Sequence, residues 1–337
     1  MSDQPAAAPA TRDDALDTTK GIAILAVVIF HMTRGFTDSG QLASSLPLQL
    51  ADATAYGFHI QTFFMIAGYL AFPKAGSAQV QLGRQASLYY AYLLWSLISW
   101  TISSAMANLV NHPVSFRELL LIPIVPIQHF WFLLPLMLGT ALLGLLRKPL
   151  PLLLGCLAIA LLMSLPLAPL GIYGWVFYVL FGGLLRAAAL RPRPSLLLGV
   201  VGAAILLAGA WDDVNGGYWL TTAPLSYVVT LSGCYAAYVA GSFAARSQFA
   251  GAVLGMLGRH SMSIFLLHAI TGSGLRIVLA RVAPQLDVYL AVLLTILSGV
   301  YLPILVEWVA DRIGMATVLG FKSFRFGRRQ TPASATS

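Results

Sequence analysis

The chain has 337 residues, of which 58% are hydrophobic and only 9% are charged, and its formal net charge is +8. This composition excludes a soluble globular protein, whose wetted surface needs far more charged residues. The positive charge does not indicate nucleic-acid binding, because the basic residues lie mostly in short loops between apolar segments, where they orient membrane proteins. We therefore expect an all-α, polytopic protein surrounded by membrane lipid.

The apolar segments predict about ten transmembrane helices. Before them, residues 1–16 are polar and alanine-rich, which predicts a disordered cytoplasmic tail rather than a cleavable signal peptide. Residues 17–312 form the predicted transmembrane domain, and residues 313–337 form a basic cytoplasmic tail. The predicted helices cover residues 20–36, 57–72, 86–108, 128–146, 149–165, 171–186, 195–211, 222–242, 261–280 and 287–307.

The distribution of basic residues predicts the orientation. With a cytoplasmic N-terminus, ten spans leave only Arg34, Arg117, Arg276 and Arg281 outside, among 20 Lys and Arg residues. This strong positive-inside bias predicts that both termini are cytoplasmic. Residues 116–128 contain two prolines and predict an interfacial or re-entrant piece on the outer side, with an eleventh crossing as the alternative.

The first predicted helix carries ionisable groups at both ends of an apolar run, "DTTKGIAILAVVIFH". Lys20 and His31 are eleven residues apart, which places them on one helix face about 16 Å from each other. His31 is either a hydrogen-bonded structural histidine or a general base. Asp17 lies one turn before Lys20, where it either orients Lys20 or complements the helix dipole. Arg34 lies one turn beyond His31 on a similar face.

Two further basic residues lie at the predicted inner side. Lys74 and Arg84 precede the aromatic-rich third predicted helix. They either anchor the orientation of the chain or form a patch with Lys20 for a phosphorylated cosubstrate.

The remaining candidates lie at the outer side or within helices. His59 enters the second predicted helix and, by itself, is weak evidence for a site. His129 and Trp131 lie at the outer end of the fourth predicted helix, where a tryptophan is common in membrane interfaces. His268 is embedded in the ninth and is expected to face protein. The two cysteines lie in apolar runs without metal-ligand spacing, so no metal is expected.

Several stretches, taken together and in order, resemble the integral-membrane acyltransferase 3 family, particularly its sugar and polysaccharide O-acetyltransferase branch (fucose 4-O-acetylase-like). "LDTTKGIAILAVVIFH" matches the family's first helix with Asp17, Gly21 and His31 in register. "FHIQTFFMIAGYLAF", with His59 and Gly68, resembles the second. "HFWFL", "FYVLFGGLL" and "LGRHSMSIFLLH" match later landmarks. Lys20 stands where the family has an arginine, which keeps the charge but loses the planar fork.

The resemblance implies a function. A member of this family would transfer an acetyl group from cytoplasmic acetyl-CoA to a sugar hydroxyl of a bacterial surface or exported polysaccharide, or of its lipid-linked repeat unit, in the inner membrane. A transporter or flippase of a glycolipid or small solute is the alternative, because buried histidines and basic groups also line translocation paths. The implied site residues are His31 and Asp17 for catalysis, Lys20, Lys74 and Arg84 for CoA, and Arg34, His59, His129 and Trp131 for the acceptor.

Overall fold

The computed structural model describes residues 13–75, 77–111, 113–164, 173–222 and 224–322. Every regular element in these ranges is a helix. Short 3₁₀ helices cover Phe72–Lys74 and Gln128–Phe132. The α-helices are α1 Asp14–Asp38, α2 Leu46–Tyr56, α3 His59–Ala71, α4 Ala78–Ala105, α5 Phe116–Leu121, α6 Leu133–Leu145, α7 Pro149–Met163, α8 Val176–Ala187, α9 Leu196–Val214, α10 Leu225–Ala244, α11 Gln248–Arg259, α12 Ser261–Val282 and α13 Val288–Arg312.

Six helical stretches are long and apolar enough to cross a membrane: α1, the continuous stretch Gln128–Leu145, α9, α10, α12 and α13. The other four predicted spans coincide with α3, α4, α7 and α8. Of these, α3, α7 and α8 are short, and α4 carries many polar residues along its 28 residues. The all-helical architecture is therefore confirmed for the described residues, six of whose helical stretches could span a membrane, and the total of ten spans stays a prediction.

The structure adds helices that the apolar pattern did not predict. α2 precedes the second predicted span, and α11 precedes the ninth. Within the proline-containing piece, α5 has only six residues, which is too short for an eleventh crossing. α1 begins at Asp14, and residues 1–12 of the predicted N-terminal tail lie outside the described residues.

Side-chain caps explain where several helices begin. The carboxylate of Asp13 accepts a hydrogen bond from the backbone N–H of Leu16 at the start of α1. Ser77 caps α4 in the same way, and Asp287 accepts from two backbone N–H groups of α13. Such caps satisfy the free N–H groups of a helix start, so the capping residue determines where each of these helices begins.

Helix α1 lies at the centre of the bundle, because it packs against α3, α10, α11, α12 and α13. α3 in turn packs closely against α8. A Cβ atom on Gly68 of α3 would lie 1.9 Å from the carbonyl oxygen of Val179, and one on Gly182 of α8 would lie 2.0 Å from that of Met65. Only glycine permits backbones to approach this closely.

Residues 313–322, the described part of the predicted C-terminal tail, pack against α4. The indole Nε1 of Trp95 donates to the carbonyl of Leu319 at 2.8 Å, and the rings of Trp95 and Phe321 stack with centroids 5.8 Å apart. Gly320 adopts a positive φ of 73° and lies against Ala91. We call residues 313–322 the C-terminal strap.

Candidate functional site

Three histidines from separate parts of the chain meet at one place in the bundle. His31 lies in α1, His129 in the second 3₁₀ helix and His268 in α12. The Nε2 atom of His268 is 2.9 Å from Nδ1 of His31, which is a hydrogen-bond distance. The ring centroid of His129 is 4.9 Å from that of His268 and 6.3 Å from that of His31. We call these residues the histidine cluster.

The position of His129 depends on its neighbour Gln128. Gln128 has a φ of 49°, a left-handed conformation that is uncommon for residues other than glycine. Two hydroxyl groups of α4 hold its amide: Ser99 Oγ donates to Oε1 at 2.5 Å, and Nε2 donates to Ser103 Oγ at 3.0 Å. This clamp compensates the backbone strain and fixes the start of the 3₁₀ helix that carries His129.

A cavity of about 500 Å³ extends from the histidine cluster to the end of the bundle where α1 and α4 terminate. His31 and His129 line it, and Arg34, Asp38 and Glu118 bring charge to its wall. Asp38 and Glu118 are exposed at the rim. Hydrogen bonds from the backbone and hydroxyl of Ser115 hold the pKa of Glu118 below its ordinary value, so this carboxylate is ionised at neutral pH.

A buried guanidinium also lines the cavity. Arg276 of α12 is only 8% exposed, and its Nη1 and Nη2 donate to the amide oxygens of Gln41 at 3.3 Å and Asn111 at 3.0 Å. Asn111 also donates to the carbonyl of Gly35, one turn beyond His31. Nε of Arg276 is buried without a hydrogen-bond partner among the described residues. The guanidinium is thus held in place near His31, with its Nε–H uncommitted.

Unlike Arg276, which donates to amide oxygens, Arg34 donates to a carboxylate. Its Nε and Nη2 donate to Asp52 Oδ2 at 3.0 and 2.7 Å, and its guanidinium carbon lies 5.0 Å from the ring centroid of Tyr56. Arg34 therefore lines the cavity as one half of an ion pair, which lowers the charge that it offers to a ligand.

Two of the sequence-predicted acceptor residues lie elsewhere. His59 is buried, its Nδ1 hydrogen-bonds to the carbonyl of Ala55 on its own chain segment, and it does not line the cavity. Trp131 packs against Trp175 with ring centroids 5.3 Å apart. The structure therefore brings His31, Arg34 and His129 together at the cavity and leaves His59 and Trp131 outside its lining.

The candidate donor residues lie at the opposite end of the bundle. Lys20 Nζ is 2.8 Å from Asp17 Oδ1, and both side chains are largely buried. Arg84 Nη1 donates to Gln81 at 3.1 Å, and Lys74 is exposed. Lys20 and Arg84 both lie in the first third of their helices, but α1 packs on α10 and α11 whereas α4 packs on α6.

Three residues of this site are absent from the sequence-predicted site residues: His268, which the sequence predicts only to face protein, Arg276 and Gln128. His268 and Arg276 are ionisable groups inside a predicted transmembrane helix, which is itself a sign of function. Gln128 gave no signal, because its conformation and its clamp depend on α4. Among the described residues, no group of His, Cys, Asp or Glu has the arrangement of a metal site.

The acyltransferase 3 family model, described as an acyltransferase domain, matches residues 13–308. No curated protein and no solved structure matches the chain. The matched range contains the whole histidine cluster and every residue that lines the cavity.

Proposed function

The chain belongs to the acyltransferase 3 family and is a membrane acyltransferase, and from this premise we propose that it transfers an acetyl group from cytoplasmic acetyl-CoA to a sugar hydroxyl. The acceptor is a bacterial surface or exported polysaccharide, or its lipid-linked repeat unit, and the membrane is the inner one. One observation carries the proposal: His31 stands at the inner limit of the cavity, and Lys20 precedes it by eleven residues on the same helix.

The donor approaches from the end where α1 and α4 begin. Lys20 and Arg84 contact the CoA phosphates there, with Lys74 further out, because ammonium and guanidinium groups bind phosphate by charge-assisted hydrogen bonds. Asp17 holds Lys20 through their ion pair. The helix carries His31 about 16 Å away from Lys20, a distance that an extended pantetheine arm covers.

His31 acts as the general base. It takes the proton of the acceptor hydroxyl while the oxygen attacks the carbonyl carbon of the thioester. The carbon–sulfur bond breaks, and the CoA thiolate leaves and takes the proton from the His31 imidazolium. The products are the acetyl ester and free CoA thiol. A two-step route through an acetyl group on His31 is the alternative.

The cavity receives the acceptor. Its volume of about 500 Å³ lies in the range of small-molecule sites. Arg276 and Asn111 offer polar groups for sugar oxygens one turn beyond His31. Nε2 of His129 is buried without a partner among the described residues, and it is available to accept a hydrogen bond from a hydroxyl of the acceptor.

The family favours this enzyme over a transporter or flippase. A transport path would also have to continue through the bundle beyond His31. The ring of His268 is fully buried, hydrogen-bonds to His31 and does not line the cavity.

The His31→Ala variant tests the proposal. Loss of a general base costs about 100- to 10,000-fold in rate, so acetylation of the surface glycan should become undetectable. The assay is mass spectrometry of acetyl ester on the glycan, from cells with equal amounts of each variant in the membrane. His260→Ala, a histidine outside the cavity, is the matched control and should acetylate normally. Near-normal acetylation by a stably inserted His31→Ala protein would refute the proposal.

A further inference from the structure

We propose that His268 is a positioning residue: it fixes the tautomer of His31 so that Nε2 of His31 is the atom that takes the proton of the acceptor. The inference rests on the general-base role of His31 proposed above. It concerns a residue that does not contact the substrate and acts only through the ring of His31.

The first step is the tautomer of His268. Its Nδ1 lies 3.0 Å from the carbonyl oxygen of Ile264 and 2.8 Å from that of Phe265, in the preceding turn of α12. Carbonyl oxygens only accept hydrogen bonds, so Nδ1 must carry the hydrogen.

The second step is the charge of His268. The ring is fully buried and lies beside two other imidazoles. None of the ion pairs among the described residues includes a member of the histidine cluster. Burial without a carboxylate partner disfavours the imidazolium form. A neutral ring with its hydrogen on Nδ1 has a lone pair on Nε2.

The third step follows from the 2.9 Å contact between the two rings. Because Nε2 of His268 can only accept, Nδ1 of His31 must donate to it. Neutral His31 then has its lone pair on Nε2. No hydrogen bond among the described residues occupies this atom, and the half-buried ring lines the cavity. The base therefore faces the space in which the acceptor binds.

The arrangement also assists the proton transfer. When Nε2 of His31 takes the acceptor proton, the resulting imidazolium keeps its Nδ1–H bonded to Nε2 of His268, and a charged donor makes that bond stronger. The proton then passes from Nε2 to the departing CoA thiolate, and His31 returns to the neutral form with hydrogen on Nδ1. In the opposite tautomer Nε2 already carries a hydrogen and cannot act as the base.

Two substitutions of His268 separate positioning from packing. In His268→Gln, the amide oxygen can accept from His31 Nδ1 and the amide NH2 can donate to the helix carbonyls. In His268→Met, the side chain fills similar space but offers no comparable acceptor. His260→Gln, at the N-cap of α12 and outside the cluster, is the control. The purified, ¹⁵N-histidine-labelled proteins are examined in nanodiscs without donor or acceptor, with His31→Ala identifying the signal of His31.

We expect the Nδ1–H tautomer of His31 in the wild type, in His268→Gln and in the His260→Gln control, and a mixture of tautomers in His268→Met. Acetyl transfer should fall about 100-fold or more in His268→Met, as for an impaired general base, and less than about tenfold in His268→Gln. An Nε2–H tautomer in the wild type, or an unchanged tautomer in His268→Met, would overturn the inference.

The two readouts also separate this inference from the proposed function. The expected tautomers without any acetyl transfer would leave the positioning intact and contradict the proposed activity. Normal transfer with the opposite tautomer would support the proposed activity and overturn the positioning role of His268.

Discussion

The close approach of the α3 and α8 backbones at their crossing allows a quantitative test of the fold. In Gly68→Ala, the new Cβ would lie 1.9 Å from the carbonyl oxygen of Val179, whereas real Cβ contacts are essentially never shorter than 3.0 Å. The two helices must therefore move apart by about 1.1 Å. Such overpacking costs up to about 3 kcal/mol, and the better helix propensity of alanine returns about 1 kcal/mol. We expect a net loss of about 2 kcal/mol.

The reciprocal glycine sharpens this test. Gly182→Ala places its Cβ 2.0 Å from the carbonyl of Met65 at the same crossing. Once one substitution has separated the helices, the second needs little further movement. The double variant should therefore lose much less stability than the sum of the two single losses.

The free energy of unfolding is measured by titration with SDS in mixed micelles. Gly274→Ala in α12 is the matched control, because a Cβ there meets nothing within 4 Å. This control should be as stable as the wild type or up to about 1 kcal/mol more stable. Wild-type stability of Gly68→Ala, or strict additivity of the two single losses, would refute the close crossing.

Lys20→Ala and Arg84→Ala should weaken the binding of CoA, measured by isothermal titration, whereas Lys20→Arg keeps the charge and should be tolerated; unchanged binding in both alanine variants would remove the basic patch from the mechanism. Arg276→Gln should raise the acceptor concentration needed for half-maximal transfer about tenfold, the effect of one charged hydrogen bond, without changing CoA binding. An unchanged acceptor dependence would exclude a role for this guanidinium. Reporter fusions should read cytoplasmic after residue 75 and at the C-terminus, and external after residue 112; an external C-terminus contradicts ten spans.

The sequence predicts long apolar helices well, because a membrane span must satisfy its own backbone and leave few charges in lipid. It predicts α2 and α11 poorly. α11 has twelve residues and places Gly255, Leu257 and Gly258 against neighbouring helices, so its identity as a helix depends on the packing with α1. Ser247 caps the start of α11 by accepting from the backbone N–H of Ala250, but a helix of twelve residues is only marginally stable without such packing.

The candidate site also has one residue that the local sequence predicts and one contact that depends on tertiary packing. Spacing and resemblance both single out His31. The spacing is informative because Lys20 and His31 lie on one helix, and the resemblance rests on the motif of that same helix. The partner of His31 lies 237 positions away, and nothing in the local pattern indicates which buried histidine it is. His59 has a comparable local pattern, yet its Nδ1 bonds to the carbonyl of Ala55. Only the tertiary arrangement distinguishes the two.

The C-terminal strap has a consequence for biosynthesis. The indole of Trp95 finds its acceptor, the carbonyl of Leu319, 224 residues later in the chain. At about 5–20 residues per second, roughly 11–45 s pass between the synthesis of Trp95 and that of Leu319. During this interval the strap does not yet cover the face of α4 around Ala91 and Trp95. A membrane chaperone that shields it would therefore act on α4 during translation, and would have to leave before the strap can dock.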